Sequence, residues 1–320
     1  MTERFEQLKS TYGSAELHPI TLTVSPGRCG TVFLQKLFSR TYGDAGEFLH
    51  ERLSAHASQP ATFFRSYDES VQREMLNVDA IYEETCRILE SARQRPVVEC
   101  GHYFISAVPL FHSLVPQALR VLTLHRHPVQ SAGSHAIKGH YTINKSRMWA
   151  ITPTHDRVAY PEFADRWETM SAFEKELYRW LETTSYGLEL PEKIPGLKWK
   201  VVASREMFKS VDLQKDIAEF CGLPQRELHT EATNKNETTD YNRETTPIRD
   251  EWRKTLEHKE VVQLAESLGY DMSLPTIEKL VKSYQAPSDL GALLRRYSGY
   301  WHLRRMFANV RRWASPSGQE

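Results

Sequence analysis

Short apolar runs alternate with longer amphipathic segments along most of this chain. The apolar runs predict buried strands, and a helical spacing of apolar residues predicts helices between and after them. The strands are expected at 20–25, 96–100, 119–124 and 199–202, and the helices at 30–41, 74–94, 128–136, 163–186, 211–221 and 257–268. Buried strands that alternate with helices predict a mostly parallel sheet covered by helices on both faces. We therefore expect an α/β protein in three layers.

Composition is typical of a soluble globular protein and adds few constraints. The 320 residues allow one large domain or two small ones, and 41 basic residues balance 41 acidic residues, which does not suggest nucleic acid as a partner. The four cysteines form no C-x-x-C pair, which argues against a zinc site or disulfide framework and fits a reducing cytoplasm. The charged N-terminus lacks the apolar core of a signal peptide, and no apolar stretch is long enough to span a bilayer.

Polar groups follow three of the predicted strands, at the strand ends where parallel sheets bind ligands. They are the loop Ser25–Thr31, the segment Glu99–His102 and Arg126. The loop, S-P-G-R-C-G-T, leads into a helix, so its N–H groups, the helix dipole and Arg28 favour an anion. It is not a Walker A sequence, because no Gly-Lys-Ser/Thr follows. The alternative is a strand-to-helix turn that needs glycine only for its geometry.

A second anion signal begins at Arg126, which ends a predicted strand. Ser134 follows eight residues later, about two turns into the next helix. The planar guanidinium of Arg126 and the hydroxyl of Ser134 can grip one phosphate between them. Alternatively, Arg126 forms a surface ion pair, and Ser134 is a small residue that packs against a neighbour.

The two signals together resemble the donor-binding motifs of sulfotransferases that use 3′-phosphoadenosine 5′-phosphosulfate (PAPS). S-P-G-R-C-G-T-V-F-L at 25–34 is similar to the family's 5′-phosphosulfate loop, and V-L-T-L-H-R-H-P-V-Q-S-A-G-S at 121–134 to its 3′-phosphate motif. The resemblance implies a P-loop-like fold, a sulfotransferase domain over 1–275, and in-line transfer of a sulfuryl group to a hydroxyl, or an amine, of a small molecule or sugar. Weaker similarities to bacterial and Golgi-type members occur at 98–104, 216–224 and 252–270.

The resemblance also implies a role for each residue of the two motifs. The loop would bind the 5′-phosphosulfate, and Arg28 would also stabilise the bridging oxygen as it leaves. Phe33 would pack against the adenine, and Arg126 and Ser134 would hold the 3′-phosphate. The loop residues in contact with the donor would be Pro26, Gly27, Arg28, Cys29, Gly30, Thr31 and Val32.

A sulfuryl acceptor must lose a proton, so a general base should lie beside the transferred group. Glu47 resembles the glutamate after the first helix of bacterial and Golgi-type enzymes, and His102 resembles the catalytic histidine of cytosolic ones. Glu47 is favoured, because its surroundings fit the glutamate branch better. The structural alternatives are a solvated helix-end carboxylate for Glu47 and a hydrogen-bonded loop histidine for His102. The family often has a lysine for the sulfuryl group where this chain has Glu99 or Cys100.

The stretch from 276 to 320 interleaves arginines with aromatic residues and predicts a basic amphipathic helical extension. The extension either packs on its own domain or contacts a membrane surface or a protein partner. Upstream of it, the resemblance implies that Arg249 or Arg253 closes over the 3′-phosphate.

A cluster of histidines and the position of Cys29 raise the questions of metal binding and of a reactive thiol. The histidines of one crowded region are His125, His127, His135 and His140. No third ligand converges on the His-x-His pair, so no metal is expected. Cys29, at a helix N-terminus beside Arg28, should have a lowered thiol pKa, unless it is only a small residue where relatives have serine.

Two other functions stay open at this point. A P-loop phosphotransferase would use ATP, although the missing Lys-Ser/Thr counts against it. A non-catalytic relative would bind the nucleotide and contact partners through the basic extension. No sequence pattern identifies the acceptor.

Overall fold

A parallel sheet of five strands forms the centre of the fold. The computed structural model describes residues 3–136, 141, 150–230 and 251–282. The strands are β1 (Ile20–Val24), β2 (Glu47–Leu49), β3 (Val97–Glu99), β4 (Leu119–His125) and β5 (Lys198–Ala203). They lie in the order β2-β3-β1-β4-β5, and each neighbouring pair is parallel. All five strands therefore end at the same edge of the sheet.

The register places the beginnings of four strands level with one another. Ile20 of β1 lies opposite both Val97 of β3 and Leu119 of β4, and Glu47 of β2 also lies opposite Val97. With a rise of about 3.3 Å per residue, Ser25 lies about 16 Å beyond this level. The loops that follow the strands meet at this far, carboxyl edge, and they form the candidate site.

Helices pack around the sheet along the whole described chain. The α-helices are α1 (Glu3–Tyr12), α2 (Thr31–Tyr42), α3 (Ala55–Ser58), α4 (Glu69–Met75), α5 (Asp79–Ala92), α6 (Val108–Leu114), α7 (Pro128–Ala136), α8 (Ala172–Lys193), α9 (Ser204–Met207), α10 (Val211–Phe220), α11 (Lys259–Ser267) and α12 (Leu274–Lys282). Short 3₁₀-helices lie at Gly43–Ala45, Ile105–Ala107, Pro161–Arg166 and Glu251–Glu257.

Alternate residues of β4 show how the layers are divided. Leu119 and Val121 belong to a core shared with α1, α5, α6 and α8, whereas Leu122 and Leu124 belong to a core shared with α2 and α10. Successive side chains of a strand point to opposite faces, so the two cores lie on opposite sides of the sheet. This three-layer arrangement confirms the expected α/β fold with a parallel sheet between helices.

The expected strands and most of the expected helices match the structure, but α1, α3, α6 and α9 were not predicted, and three other elements differ. Strand β2 was not predicted, because three residues leave too short a pattern. The helix expected at 74–94 is divided into α4 and α5 by a turn at Asn77, a residue type that favours turns. The long helix expected from 163 begins only at Ala172, where Ser171 and Glu174 form a capping box.

Two expectations about the ends and the location of the chain stay predictions. Among the residues that the structure describes, no helix is both long and apolar enough to cross a membrane. The expected domain boundary after residue 275 falls within α12, and residues 283–320 of the basic extension lie outside the described residues.

Gly187 determines how closely α8 approaches the sheet, because a Cβ there would lie 2.6 Å from Thr123 Cγ2 and 3.1 Å from Val24 Cγ1. We expect Gly187→Ala to lower the free energy of unfolding by about 1–3 kcal/mol through overpacking, as measured by chemical denaturation. Thr123→Ser removes the opposing methyl group and keeps the hydroxyl. The double variant should therefore lose less stability than the two single variants together, and strict additivity would contradict this contact.

Candidate active site

The loop between β1 and α2 has a backbone that few residue types adopt. Gly27, Arg28 and Gly30 have φ angles of 80°, 57° and 90°, in the left-handed region that favours glycine. No side chain caps the N-terminus of α2, and its first turn holds no acidic residue. The amide groups at this end of α2 and the helix dipole therefore favour an anion beside the loop.

Three carbonyl oxygens of the loop are in hydrogen-bond contact with side chains from distant segments. The Pro26 oxygen accepts a hydrogen bond from Arg179 and lies 3.1 Å from His135 Nε2. The Gly27 oxygen accepts from Ser131 Oγ at 3.3 Å, and the Cys29 oxygen accepts from Ser204 Oγ at 2.6 Å. These side chains belong to α7, α8 and α9. The loop conformation thus depends on three helices that lie far along the chain.

The loop and the Arg126 motif are in direct contact. Arg28 Nε donates to Ser134 Oγ at 2.9 Å, and the Arg126 guanidinium donates to the carbonyl oxygen of Arg28 at 3.2 Å. Arg126 also donates to Gln130, and Trp180 Nε1 donates to the Arg126 carbonyl oxygen at 2.9 Å. The structure thus brings the two expected halves of the donor site together, with two arginines and a hydroxyl in one place.

His102 follows β3, which borders β1 on the side away from β4. Its Nδ1 lies 2.6 Å from Glu51 Oε1, and a Cβ on Gly27 would lie 3.1 Å from its Nε2. One ring nitrogen therefore faces Glu51 and the other faces the loop. Burial lowers the pKa of His102, while Glu51 acts in the opposite direction. A neutral ring that carries its proton on Nδ1, next to Glu51, keeps Nε2 as a proton acceptor.

Glu99 connects the two segments that carry Glu51 and His102. Glu99 Oε1 accepts hydrogen bonds from the amides of Gly101 at 2.6 Å and Glu51 at 3.2 Å. A Cβ on Gly101 would lie 2.5 Å from the Glu51 nitrogen, so this close approach requires glycine. Burial raises the pKa of Glu99 to about 7, against the lowering effect of the two amides. Glu99 therefore holds the segment after β2.

Glu47 is not brought to the loop. It begins β2 level with Ile20, whereas the loop follows the opposite end of β1. The Glu47 carboxylate pairs with Arg87 and lies 3.8 Å from Arg95. A base about 16 Å away along the sheet cannot take a proton from an acceptor at the loop. This placement corrects the preference for Glu47, and the carboxylate that reaches the site is Glu51.

Phe33 is not open to a ligand, contrary to the role expected for it. Its side chain is 3% exposed and meets the Phe208 ring edge to face, with 5.0 Å between centroids. Phe208 is 40% exposed, and a Cβ on Gly30 would lie 2.7 Å from its ring. The exposed aromatic surface beside the loop therefore belongs to Phe208, and Phe33 packs beneath it.

The 3₁₀-helix before α11 packs against α7, next to the Arg126 motif. Trp252 fills the space over Gly133, where a Cβ would lie 2.2 Å from its ring. Arg253 pairs with Glu278 of α12 at 3.2 Å and is 62% exposed. Arg253 is thus held toward α12, and Arg249 lies outside the described residues.

The three described histidines of the crowded region have three different partners. The contacts are His125 Nδ1 with the Tyr270 hydroxyl (2.7 Å), His127 Nε2 with Asp271 O (3.3 Å) and His135 Nε2 with Pro26 O (3.1 Å). In the described ranges, no group of three His, Cys, Asp or Glu residues could hold a metal ion. His140 lies outside them, and the expected absence of a metal stays a prediction.

Cys29 is not the activated thiol that its position suggested. Its side chain is buried, and burial raises the thiol pKa, although Ser25 and Arg126 act in the opposite direction. The expectation of a lowered pKa is therefore wrong, because desolvation outweighs the neighbouring donors and charges.

Three residues of the site came from no motif, namely Glu51, Arg179 and Phe208. Glu51 follows a strand too short to predict, and Arg179 lies 153 positions after Pro26, the residue it contacts. The sequence held one signal for Arg179. Glu176 and Arg179 carry opposite charges three residues apart on the otherwise apolar face of α8, which indicates a buried ion pair.

Cys86 is half-buried, whereas Cys29, Cys100 and Cys221 are buried. Burial raises the pKa of all three buried thiols, so we expect one thiol of the native chain to react readily with a thiol reagent. Cys86→Ser should abolish this reaction, as followed by absorbance or mass. Rapid labelling that survives Cys86→Ser and is lost in Cys29→Ser would show that the loop thiol is reactive after all.

Comparison with known proteins gave structural similarities only. No protein-family model matches the chain, and no curated protein matches it. A sulfotransferase domain from the curacin biosynthetic pathway is 11% identical, with a TM-score of 0.49, covering 81% of this chain and 100% of that chain. A sulfotransferase from Alicyclobacillus acidocaldarius is 15% identical, with a TM-score of 0.46, covering 85% of this chain and 100% of that chain.

A sulfotransferase domain from the Synechococcus PCC 7002 olefin synthase is also similar. It is 14% identical, with a TM-score of 0.44, covering 81% of this chain and 98% of that chain.

Proposed function

We propose that this protein is a sulfotransferase that uses PAPS as its donor and a hydroxyl, or an amine, of a small molecule or sugar as its acceptor. One observation carries the proposal. The loop after β1 lies next to His102, which pairs with Glu51 and follows β3, and it contacts Arg126, which follows β4, and Ser134. A base and a phosphate clamp beside one anion loop suit a donor with a reactive 5′ end and a phosphate at its 3′ position.

The residues of the loop and the clamp fit such a donor. The loop and the first turn of α2 offer amide groups and a helix dipole to the 5′-phosphosulfate. Arg126 and Arg28 offer charged donors to the 3′-phosphate, and the buried hydroxyl of Ser134 holds Arg28 in place beside Arg126. The exposed ring of Phe208 would pack against the adenine, and the buried Phe33 packs against the Phe208 ring.

His102 serves as the general base in this proposal. Its Nε2 takes the proton of the acceptor hydroxyl, while Glu51 orients the ring through Nδ1 and stabilises the positive charge that the ring gains. The acceptor oxygen forms a bond to sulfur as the bond between sulfur and the 5′-phosphate oxygen breaks, and that oxygen keeps the electron pair. The products are the sulfated acceptor and adenosine 3′,5′-bisphosphate, and the proton passes from His102 to solvent.

The loop stabilises the negative charge that gathers on the leaving phosphate, because its amides and the α2 dipole are fixed before the reaction. No step of this chemistry is assigned to a metal ion or to a covalent enzyme intermediate. An ATP-dependent phosphotransferase is disfavoured, since no Lys-Ser/Thr follows the loop to contact a terminal phosphate and magnesium.

Incubation of the protein with PAPS labelled in the sulfuryl group, together with a panel of hydroxylated and amino acceptors, tests the proposal. A labelled product other than inorganic sulfate supports it. Tight binding of adenosine 3′,5′-bisphosphate without transfer to any acceptor would favour a non-catalytic relative instead.

Arg126→Ala should weaken the binding of adenosine 3′,5′-bisphosphate by about tenfold to a hundredfold, because it removes a charge-assisted contact with the 3′-phosphate. Isothermal titration calorimetry measures this affinity. Arg93→Ala is the matched control, since Arg93 is 44% exposed and pairs with Glu90 at the end of α5. Equal affinities of the two variants would remove Arg126 from the clamp.

His102→Gln should lower turnover by about 10²–10⁴-fold, because it removes the group that accepts the proton. Its affinity for the bisphosphate should stay close to that of the wild type, since Nε2 acts on the acceptor. Glu47→Gln is the control and should keep wild-type turnover, because Glu47 pairs with Arg87 at the opposite edge of the sheet. Loss of turnover in Glu47→Gln alone would reverse the assignment of the base.

A further inference from the structure

Arg179 of α8 lies buried behind the loop. Its guanidinium donates to the carbonyl oxygen of Pro26, and its Nε lies 2.7 Å from Glu176 Oε2. The side chains of Arg179 and Glu176 are 3% and 0% exposed. His135 Nε2 lies 3.1 Å from the same Pro26 oxygen. One loop carbonyl is therefore held from both α7 and α8.

Stability does not explain an ion pair buried this deeply. Taking charges out of water is costly, and well-packed apolar residues in place of a buried pair often leave a protein equally stable or more stable. The charge of Arg179 is therefore expected to matter for the groups around it.

The neighbours of Arg179 include both the proposed base and the loop. Burial has the largest effect on the pKa values of His102, Tyr103 and Cys29, lowering the first and raising the other two. The positive charge of Arg179 lowers all three pKa values. Arg179 contacts Pro26, and His102 Nε2 lies next to Gly27, so the two side chains meet the loop at consecutive residues.

Carboxyl groups gather on the same side of the loop. Glu99 or Cys100 occupies the place where the family that the chain resembles often has a lysine for the sulfuryl group. Glu51 lies next to His102, and Arg28 donates to Ser134 on the other side. A cation near Pro26 would offset the missing lysine.

We propose that Arg179, held by Glu176, is a positioning residue of the transfer site that fixes the Pro26 carbonyl and places a positive charge behind the sulfuryl position. This inference rests on the proposed sulfotransferase function and deepens it. As the bond from sulfur to the 5′-phosphate oxygen breaks, negative charge gathers on that oxygen, and a fixed cation nearby stabilises it. The same charge favours the neutral form of His102, which is the form that accepts a proton.

The groups that face His102 give the direction of the expected effect on the pH profile. Burial, Arg179 and His50 lower the pKa of His102, whereas Glu51 raises it. The aromatic neighbours are Tyr103, at 4.4 Å between ring centroids, and His135, at 6.3 Å. Turnover rises with pH as His102 loses its proton. Removing the charge of Arg179 should therefore move this rise to higher pH, and removing that of Glu51 should move it to lower pH.

Comparison of Arg179→Met with Arg179→Lys and the wild type tests the proposal. We expect Arg179→Met to lower turnover by about tenfold to a hundredfold and to move the rise in turnover to higher pH. Its affinity for adenosine 3′,5′-bisphosphate should fall as well, because the 5′-phosphate of this product carries the charge that Arg179 would face. Arg179→Lys keeps the charge and should restore the pH profile. Glu51→Gln should move the rise in the opposite direction.

Wild-type turnover and an unchanged pH profile in Arg179→Met would overturn the proposal. A loss of turnover in Arg179→Met with an unmoved pH profile would also overturn it, since that marks a purely structural contact. If Arg179→Met does not fold, Glu176→Gln serves as the test instead. It removes the counterion of Arg179, so the positive charge lowers the pKa of His102 further and the rise in turnover should move to lower pH. An unmoved profile contradicts the proposal. The wild type is measured first, because a wild type without bisphosphate binding or sulfuryl transfer overturns the proposed function itself.

Discussion

The backbone of the loop between β1 and α2 is the constraint on which the site depends. Gly27, Arg28 and Gly30 all have left-handed backbone angles. This conformation is unfavourable for Arg28, which has a Cβ atom, so the local sequence alone does not stabilise the loop. Side chains from α7, α8 and α9 hold the loop through its carbonyl oxygens. The conformation of the candidate anion site therefore depends on the packing of α7, α8 and α9 as well as on the glycines of the loop.

The strand order divides the chemistry into two sides. Strand β1 lies between β3 and β4, so its loop has the segment after β3 on one side and the segment after β4 on the other. The first segment carries His102, which Glu99 helps to position through the backbone of its neighbours. The second carries Arg126, and the helix behind it carries Ser134. The proposed residues for proton transfer and for phosphate binding thus follow different strands, and the loop after β1 lies between them.

Much of this fold could be predicted from the sequence, because apolar runs and helical spacing report burial directly. The loop and the Arg126 motif were also within reach, since the residues of each motif are close in sequence and stay close in space. The choice between Glu47 and His102 as the base was not, because Glu47 begins β2, whereas Glu51, which pairs with His102, follows the other end of that strand.

Residues that meet the loop only through packing were also beyond the reach of local patterns. Arg179 lies on α8, and its contact with the loop requires α8 to cross the sheet. The exposed ring of Phe208 covers that of Phe33, so the hydrophobic residue inside the motif is not the one left open. A motif identifies which groups can bind, and the surrounding helices decide which of them a ligand can touch.

The contacts that hold the loop also have a consequence for the order of folding. They join residues that lie 104, 109, 153 and 175 positions apart in the chain. Contacts of such long range form late, because the intervening chain must be ordered before they become favourable. The loop therefore reaches its binding conformation only after α9 has packed. A ligand that requires this loop stabilises the completed fold selectively, and partly folded chains gain nothing from it.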